Sequence, residues 1–362
     1  MKRLLLAALL TLAALPLAAQ RRTDENAVLR TYVTKAMMRC PAPVLTLDPI
    51  NQTGPKNFLI YEANLKSSDE NCGGRKYVLY SPVSQQVLIG TIFAIPTDAR
   101  PANVRIAEQT SEMMKTQMTS TVSPFPLQDG IKAVTITKQT QFGPFTYHGF
   151  LDASEHFVMV GSRGSLTEDP GKTLLDNLNA TNGGVKRGSK TAKISIVELS
   201  DFQCPTCARA HKRIEPLIEK NLSKVNYTRL DLPLFEHHEW AVAAALGGRA
   251  IQRIAPDKYW SYVNYVFGNQ EEIGKMPSFD KFLQNWVEDN DIDWKKVATI
   301  YNLPSEKASL LDQVSRAFDN SINSTPTYIV NGQILGYGPE GNFTYDAIKS
   351  AIDSVSAPAK KK

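Results

Sequence analysis

Cysteine is scarce in this chain of 362 residues, which holds only Cys40, Cys72, Cys204 and Cys207. A zinc site needs about four ligands. Beyond Cys204 and Cys207 there is no second closely spaced cysteine pair and no paired histidine nearby, which argues against bound metal. His237 and His238 are adjacent, so they cannot share one helix face as paired metal ligands would. Long apolar runs are missing after Ala19, and a spanning helix needs about 20 apolar residues, so nothing downstream reads as a membrane span. A dominant charge is missing as well: 41 Lys and Arg against 36 Asp and Glu leave +5, part of it at Lys2-Arg3 and Lys360-Lys361-Lys362. Nothing in this balance points to nucleic acid as a partner.

The first residues carry a pattern of their own. A basic start, an apolar run from Leu4 to Leu17 and the small residues Ala18-Ala19 read as a secretory signal peptide over residues 1–19. No cysteine follows the expected cleavage point, so lipid attachment is not indicated. Export would place the cysteines in an oxidising compartment, periplasmic or extracellular, where disulfides persist. Two in a CxxC and two apart suggest one catalytic and one structural pair. A bridge between Cys40 and Cys72 is predicted, contributing about 3 to 4 kcal/mol in the loop-entropy picture. Asn-x-Ser/Thr sequons occur, Asn323-Ser324-Thr325 among them. A glycan there would crowd the loop assigned below to substrate contact, which favours a secretion route without N-glycosylation.

Cys204-Pro205-Thr206-Cys207 is the most informative stretch. Residues 194–199 read as a short buried strand, and residues 208–222 as a helix kinked at Pro216. Cys204 falls where a helix N-terminus offers unpaired N–H groups and partial positive charge, which favour a thiolate. It is expected to be the nucleophile. Cys207, one turn later on the same face, is placed to resolve a mixed disulfide. A purely structural disulfide is the competing reading, and so short a loop is a poor staple because stabilisation grows with loop length.

Composition breaks at 179–191, rich in Asn, Gly, Lys and Ser, which reads as a linker. Before it, residues 20–178 form an expected α+β region with a weak internal repeat, 24–98 and 100–170. Residues 80–91 resemble 151–162, each a strand, a polar turn and an apolar strand ending near glycine. Chance similarity is the alternative, since helix-then-hairpin order is common in α+β domains. After the linker, 192–357 reads as β-α-β, a helical insertion over 238–319, a hairpin around Asn331-Gly332 and a closing helix. That order is an α/β thioredoxin fold with an inserted helical subdomain, preceded by the α+β region.

Residues 198–207, Glu-Leu-Ser-Asp-Phe-Gln-Cys-Pro-Thr-Cys, resemble the active-site stretch of DsbA-like thiol-disulfide oxidoreductases. Ser324-Thr325-Pro326-Thr327, followed by Val330-Asn331-Gly332, is similar to the cis-proline loop of that superfamily. The resemblance covers about 193–355. It implies a cis bond at Thr325-Pro326 facing Cys204, with Thr325, Pro326, Pro205 and Thr206 contacting the bound polypeptide. It also implies that Glu198, costly to bury in an apolar strand unless partnered, relays a proton to or from Cys207; a solvated glutamate at a sheet edge is the alternative. His238-Glu239-Trp240-Ala241 with Ala244 and Ala245 is similar to the start of the inserted helices, where small residues let a helix pack closely. The four tryptophans read as filling the insertion's core.

The N-terminal region weakly resembles the dimerisation module of DsbC and DsbG isomerases, with room for two such modules. A homodimer is therefore one expectation, and internal pairing within a monomer the other. The expected function is an exported protein-disulfide oxidoreductase acting through its CPTC site. Its partners would be cysteine-bearing client proteins and a membrane redox partner that resets the site, with no cofactor and no metal. An isomerase or reductase direction, and a chaperone-like client-binding protein on a thioredoxin scaffold, stand as alternatives.

Overall fold

The computed structural model describes residues 26–51, 54–70, 72–338 and 341–356, so the expected signal peptide lies outside the described residues. The N-terminal region begins with helix α1 (residues 26–36) and four antiparallel strands, β1 (Val44–Pro49), β2 (Leu59–Lys66), β3 (Gly74–Tyr80) and β4 (Gln86–Ala94). The order then recurs: α2 (Ala102–Met114) precedes β5 (Met118–Pro126), β6 (Lys132–Thr140), β7 (Gly143–Leu151) and β8 (Phe157–Ser165). All eight strands form one sheet in the order β1-β2-β3-β4-β8-β7-β6-β5.

The two halves meet where β4 pairs antiparallel with β8, Gln86 opposite Ser165 through Ala94 opposite Phe157, with Gly90 facing Gly161 at the centre. A Cβ on Gly90 would lie 2.1 Å from the Val160 carbonyl oxygen, and one on Gly161 would lie 2.2 Å from that of Ile89. Only glycine on both strands permits so close an approach. Loop contacts cross in both directions. The Lys56 amide donates to Asp152 at 3.3 Å, while Asp129 accepts from Ser81 at 3.1 Å and from Gln86 at 2.8 Å. Such reciprocity is the mark of an interface with two-fold character. Separate apolar cores lie under the two helices, around Leu29 and Val33 of α1 and around Ile106 of α2.

Helix α3 (Pro170–Asn177) leads toward the second sheet, β13-β12-β10-β11-β9. Its strands are β9 (Val185–Gly188), β10 (Ile194–Ser200), β11 (Val225–Asp231), β12 (Thr327–Val330) and β13 (Gln333–Leu335). Ile196, Val197 and Leu199 of β10 are buried, as suits a central strand covered on both faces. β10 runs parallel to β11, which requires a crossover. Helix α4 (Pro205–Glu219) provides it, with Pro216 inside and the helix continuing to Glu219. Asn331 and Gly332 both take positive φ in the β12–β13 turn, as a tight hairpin requires.

Within the segment 179–191 expected to be a linker, Val185–Gly188 is a strand paired antiparallel with β11. Arg187 anchors it, with its guanidinium 3.8 Å from the Trp260 ring centroid and ion-paired with Glu215. A four-residue edge strand with two basic residues carries almost no apolar pattern, which is why composition alone hid it.

Helices α5 (Ala241–Ile254), α6 (Tyr259–Gly268), α7 (Gln270–Lys275), α8 (Phe279–Asp289), α9 (Trp294–Tyr301) and α10 (Pro304–Asp319) form the insertion. Their core gathers Tyr262, Val263, Leu283 and Trp286 around Phe202 and both CxxC cysteines, so the insertion packs directly on the CxxC loop. Trp240, Trp260 and Trp294 pack against this core from partly buried positions, and Ala241, Ala244 and Ala245 are buried. Helix α11 (Asn342–Ser356) closes the fold against α4 through Ile348 and Ile352.

The two regions are joined along several lines. The Arg39 amide donates to the Ile334 carbonyl at 2.8 Å, and the Gly336 amide donates back to Arg39 at 2.8 Å, which extends the second sheet at β13. Cys40 and Cys72, linked as a disulfide, sit against Gly336. On the other side, His148 of β7 meets Asp319 of α10 at 2.7 Å, and Lys138 pairs with Glu236. Among the described residues, no helix is long and apolar enough to cross a membrane.

Candidate active site

Strand β10 ends in a turn at Asp201-Phe202-Gln203, and Cys204 is the residue preceding the first turn of α4, with Pro205 at its first position. Proline there has no N–H to lose and is already set at the helical φ. The unpaired N–H groups of the first turn therefore belong to Thr206 and Cys207, and they point at the Cys204 sulfur. Gln270 of α7 reaches in from the insertion, donating to the Phe202 carbonyl at 2.7 Å and to the Cys204 carbonyl at 3.1 Å. Phe202 is buried among insertion side chains. The loop is thus held from beneath by the sheet and from above by the helices.

Cys204 and Cys207 are both buried and are not joined as a disulfide. Cys204 Sγ lies 3.6 Å from the Thr325 carbonyl oxygen, and the Thr325-Pro326 bond is cis. The long-range pairing of β10 with β12, Leu199 opposite Thr327, brings this loop beside the CxxC.

The Cys204 thiol is lowered to about 5, first by hydrogen bonding from Cys207, then by Thr325 and the backbone N–H groups of Cys207 and Thr206, with burial acting in the opposite sense. Burial pushes Cys207 well up, and the neighbouring Cys204 charge adds to the rise. One sulfur is set to be a thiolate and the other to keep its proton. This division has a direct readout. A depressed pKa means that the reactive thiolate persists above the folded value and is lost as pH falls through it. Alkylation of the reduced protein by iodoacetamide should therefore reach its plateau rate by about pH 6, with a midpoint near 5 and with Cys204 as the modified residue. A midpoint near the ordinary thiol value of 9.0 would contradict the assigned environment.

Glu198 is 1% exposed, so the solvated-edge alternative does not describe it. Its Oε2 accepts from the Tyr227 hydroxyl, and its Oε1 has no hydrogen-bond partner among the described residues. In register it faces Arg229 on β11 and Tyr328 on β12. Arg229 is enclosed too, ion-paired with Asp231 and lying 4.0 Å from the centroid of Phe202.

Sequence reasoning gave no role to Asp201, Arg229 or Gln270, and left His238 as part of a packing motif. For one of them a signal was available, since Asp201 directly follows an apolar strand; Arg229 lies in Val-Asn-Tyr-Thr-Arg-Leu-Asp, whose mixed composition does not mark it out. Gln270 carries no signal, because only the folding-back of the insertion brings it to the loop. Pro205 and Thr206 lie on the first turn of α4 beside Cys204, and Thr206 accepts from Arg209 at 2.9 Å. Among the described residues, no group of three or more His, Cys, Asp or Glu side chains is placed to hold a metal ion.

The family described as Thioredoxin matches residues 180–354. Among curated proteins, the Na(+)/H(+) antiporter NhaA 3 of Salinispora tropica is 26% identical over 174 residues, covering 48% of this chain and 25% of that protein. The chain thus spans about a quarter of that relative's length. Disulfide bond formation protein D of Bacillus subtilis is 25% identical over 178 residues, covering 46% of this chain and 74% of that protein. Solved structures that are similar include oxidised BdbD from Bacillus subtilis, with 22% identity, a TM-score of 0.39, and coverage of 47% of this chain and 90% of that one. Another is α-DsbA2 from Wolbachia pipientis, with 14% identity, a TM-score of 0.42, and coverage of 53% and 99%. The C-terminal half of the chain has a thioredoxin fold, with residues 180–354 matching the Thioredoxin family.

Proposed function

We propose that this chain is an exported protein thiol-disulfide oxidoreductase that takes electrons from client cysteines through Cys204 and Cys207. The observation that carries this reading is the unequal placement of the pair: Cys204 at a helix start where backbone N–H groups lower its pKa, Cys207 fully buried behind it where burial raises its own, and the Thr325 carbonyl 3.6 Å from Cys204. Stabilising the thiolate stabilises the reduced site, and a site whose reduced form is stable is an oxidant. A client thiolate attacks Cys204 of the oxidised site, a second client thiolate attacks the mixed disulfide, and the site is left as Cys204 thiolate and Cys207 thiol. Thr325 and Pro326, with Pro205 and Thr206, would hold the client segment. Glu198 would exchange the Cys207 proton from the buried side. A membrane redox partner would reoxidise the pair, and the signal peptide would bring the chain to the compartment where clients fold.

The reduction potential of the Cys204/Cys207 pair tests the direction. Thioredoxin, with a thiol pKa of about 7, stands near −270 mV, and DsbA, at about 3.5, near −120 mV. A thiol at about 5 should place this pair between them, above roughly −230 mV. A potential at or below that of thioredoxin would overturn the oxidase direction in favour of a reductase.

A client-binding role has an observation of its own. A cavity of about 180 Å³ opens at the seam of the two regions, lined by Phe145, Tyr147, Phe235, Phe318 and Asn323. Lys138, Glu236 and His237 line it as well, its Asn323 edge is two residues from Thr325, and the mixed lining would suit a client side chain with an apolar body and a polar end. For the N-terminal region we propose two modules paired with each other, which leaves the β4 edge occupied within the chain. Light scattering on the mature protein should accordingly give a monomer, and a stable dimer would count against internal pairing as a substitute for dimerisation.

A further inference from the structure

Asp201 is the fixed point of the redox loop. Its side chain is fully enclosed, with Oδ1 accepting from the Gln203 amide at 2.7 Å and Oδ2 accepting from the Leu234 amide at 2.7 Å. The same Oδ2 meets His238 Nδ1 at 2.7 Å, and the Asp201 carbonyl accepts from the Cys204 amide at 3.2 Å. The Trp240 amide donates to Gln203 Oε1 at 2.6 Å. The segment 234–240, after β11, is thereby stapled to the turn that presents Cys204.

A buried carboxylate three residues from a thiolate opposes it unless a positive charge stands by. His238 is the titratable group in direct contact with Asp201, and its side chain, 19% exposed, remains open to exchange protons with solvent. The other charges around this segment are committed elsewhere or held constant. Glu236 pairs with Lys138, Arg229 pairs with Asp231, Arg209 bonds Thr206, and His237 and Glu239 face outward as exposed residues. Arginine does not change charge in the working range. The Asp201 hydrogen bond raises the His238 imidazole above its usual value, and the nearby Cys204 charge raises it further, against burial.

We propose that His238 is a positioning residue that regulates the redox pair: protonated, it neutralises Asp201 and supports the Cys204 thiolate, and on deprotonation it withdraws that support. The inference rests on the oxidoreductase reading above. Reduction of the site consumes two electrons and one proton, converting the Cys204–Cys207 disulfide to a Cys204 thiolate and a Cys207 thiol. The electrons come from two client thiols, which leave as a disulfide with the release of two protons. Because the thiolate holds His238 protonated to higher pH than the disulfide does, reduction takes up additional proton between the two His238 pKa values. The potential should fall more steeply with pH across that window than on either side of it.

The test uses the full mature protein, titrating the Cys204 thiolate by its ultraviolet absorbance and measuring potential against pH. His238→Asn keeps an N–H donor toward Asp201 but removes the charge. It should raise the Cys204 pKa by about one unit, a tenfold loss of thiolate at a given pH below it, and should erase the steep segment. His238→Arg keeps a charge that does not titrate, so it should hold the Cys204 pKa low and also erase the steep segment. If His238→Asn leaves both the Cys204 pKa and the steep segment as in wild type, His238 is only a staple and the inference is overturned. Should the Asn variant fail to fold, a steep segment surviving in His238→Arg overturns it equally. The thiolate titration reads independently of any client, so failure to exchange disulfides with clients would sink the oxidoreductase reading without being mistaken for failure of this one.

Discussion

Replacing Cys204 with serine should abolish disulfide exchange, a loss of at least about a thousandfold in the turnover of a scrambled or reduced client. A hydroxyl is not ionised at neutral pH, so serine at this helix start places no nucleophile there. Cys207 cannot take over, because it is fully buried beneath Cys204 and burial holds its proton on. The companion replacement, Cys207→Ser, should leave the Cys204 thiolate able to attack a client that already carries a disulfide, breaking that bond, and should remove the thiol that resolves the product, so that disulfide-bearing clients accumulate as mixed disulfides visible on non-reducing gels. Exchange that survives in Cys204→Ser at the wild-type rate would discard the catalytic reading. The client-binding reading on the same scaffold would then be the one left standing.

Gly90→Val should be the most destabilising single change in the N-terminal region. The new side chain would begin 2.1 Å from the Val160 carbonyl oxygen and 2.7 Å from the Gly161 Cα, both backbone atoms of the facing strand. No rotamer relieves such a clash, so β4 and β8 must separate or shift. Overpacking costs typically 1 to 3 kcal/mol and more when backbone must move. About 3 kcal/mol would lower the melting temperature by roughly 6 to 12 °C for a unit of this size. Gly268→Ala is the control, since a Cβ there meets nothing within 4 Å and should change the melting temperature little. A Gly90→Val protein that melts with wild type would mean that the two halves do not pair through these glycines.

The local structure of the CxxC loop was legible from sequence. An apolar strand, a CxxC and a helix are adjacent in the chain, and their mutual placement follows from local rules: a proline after Cys204 starts the helix, and the helix start faces the sulfur. The hairpin at Asn331-Gly332 was legible for the same reason, because its turn residues carry positive φ. Strand β9 was not, because Val185, Lys186, Arg187 and Gly188 have no pattern of their own and become a strand only by pairing with β11. The partners of Glu198 were equally invisible. Its neighbours Arg229 and Tyr328 come from strands about 30 and 130 residues further on, joined to β10 by register that local periodicity does not encode.

Sequence by itself determined which residues could do chemistry here: the thiol pair, the acidic residue within the strand, the proline loop, and their order along a thioredoxin pattern. The tertiary structure alone decided how strongly each is biased. It placed Thr325 on Cys204, enclosed Cys207, set His238 on Asp201, folded the insertion onto Phe202, and paired β4 with β8 at two glycines. The physical reason is one of range. Helix starts, turns and buried strands are read within a few residues, whereas the charge, burial and contacts that tune a thiol come from segments brought together only by packing.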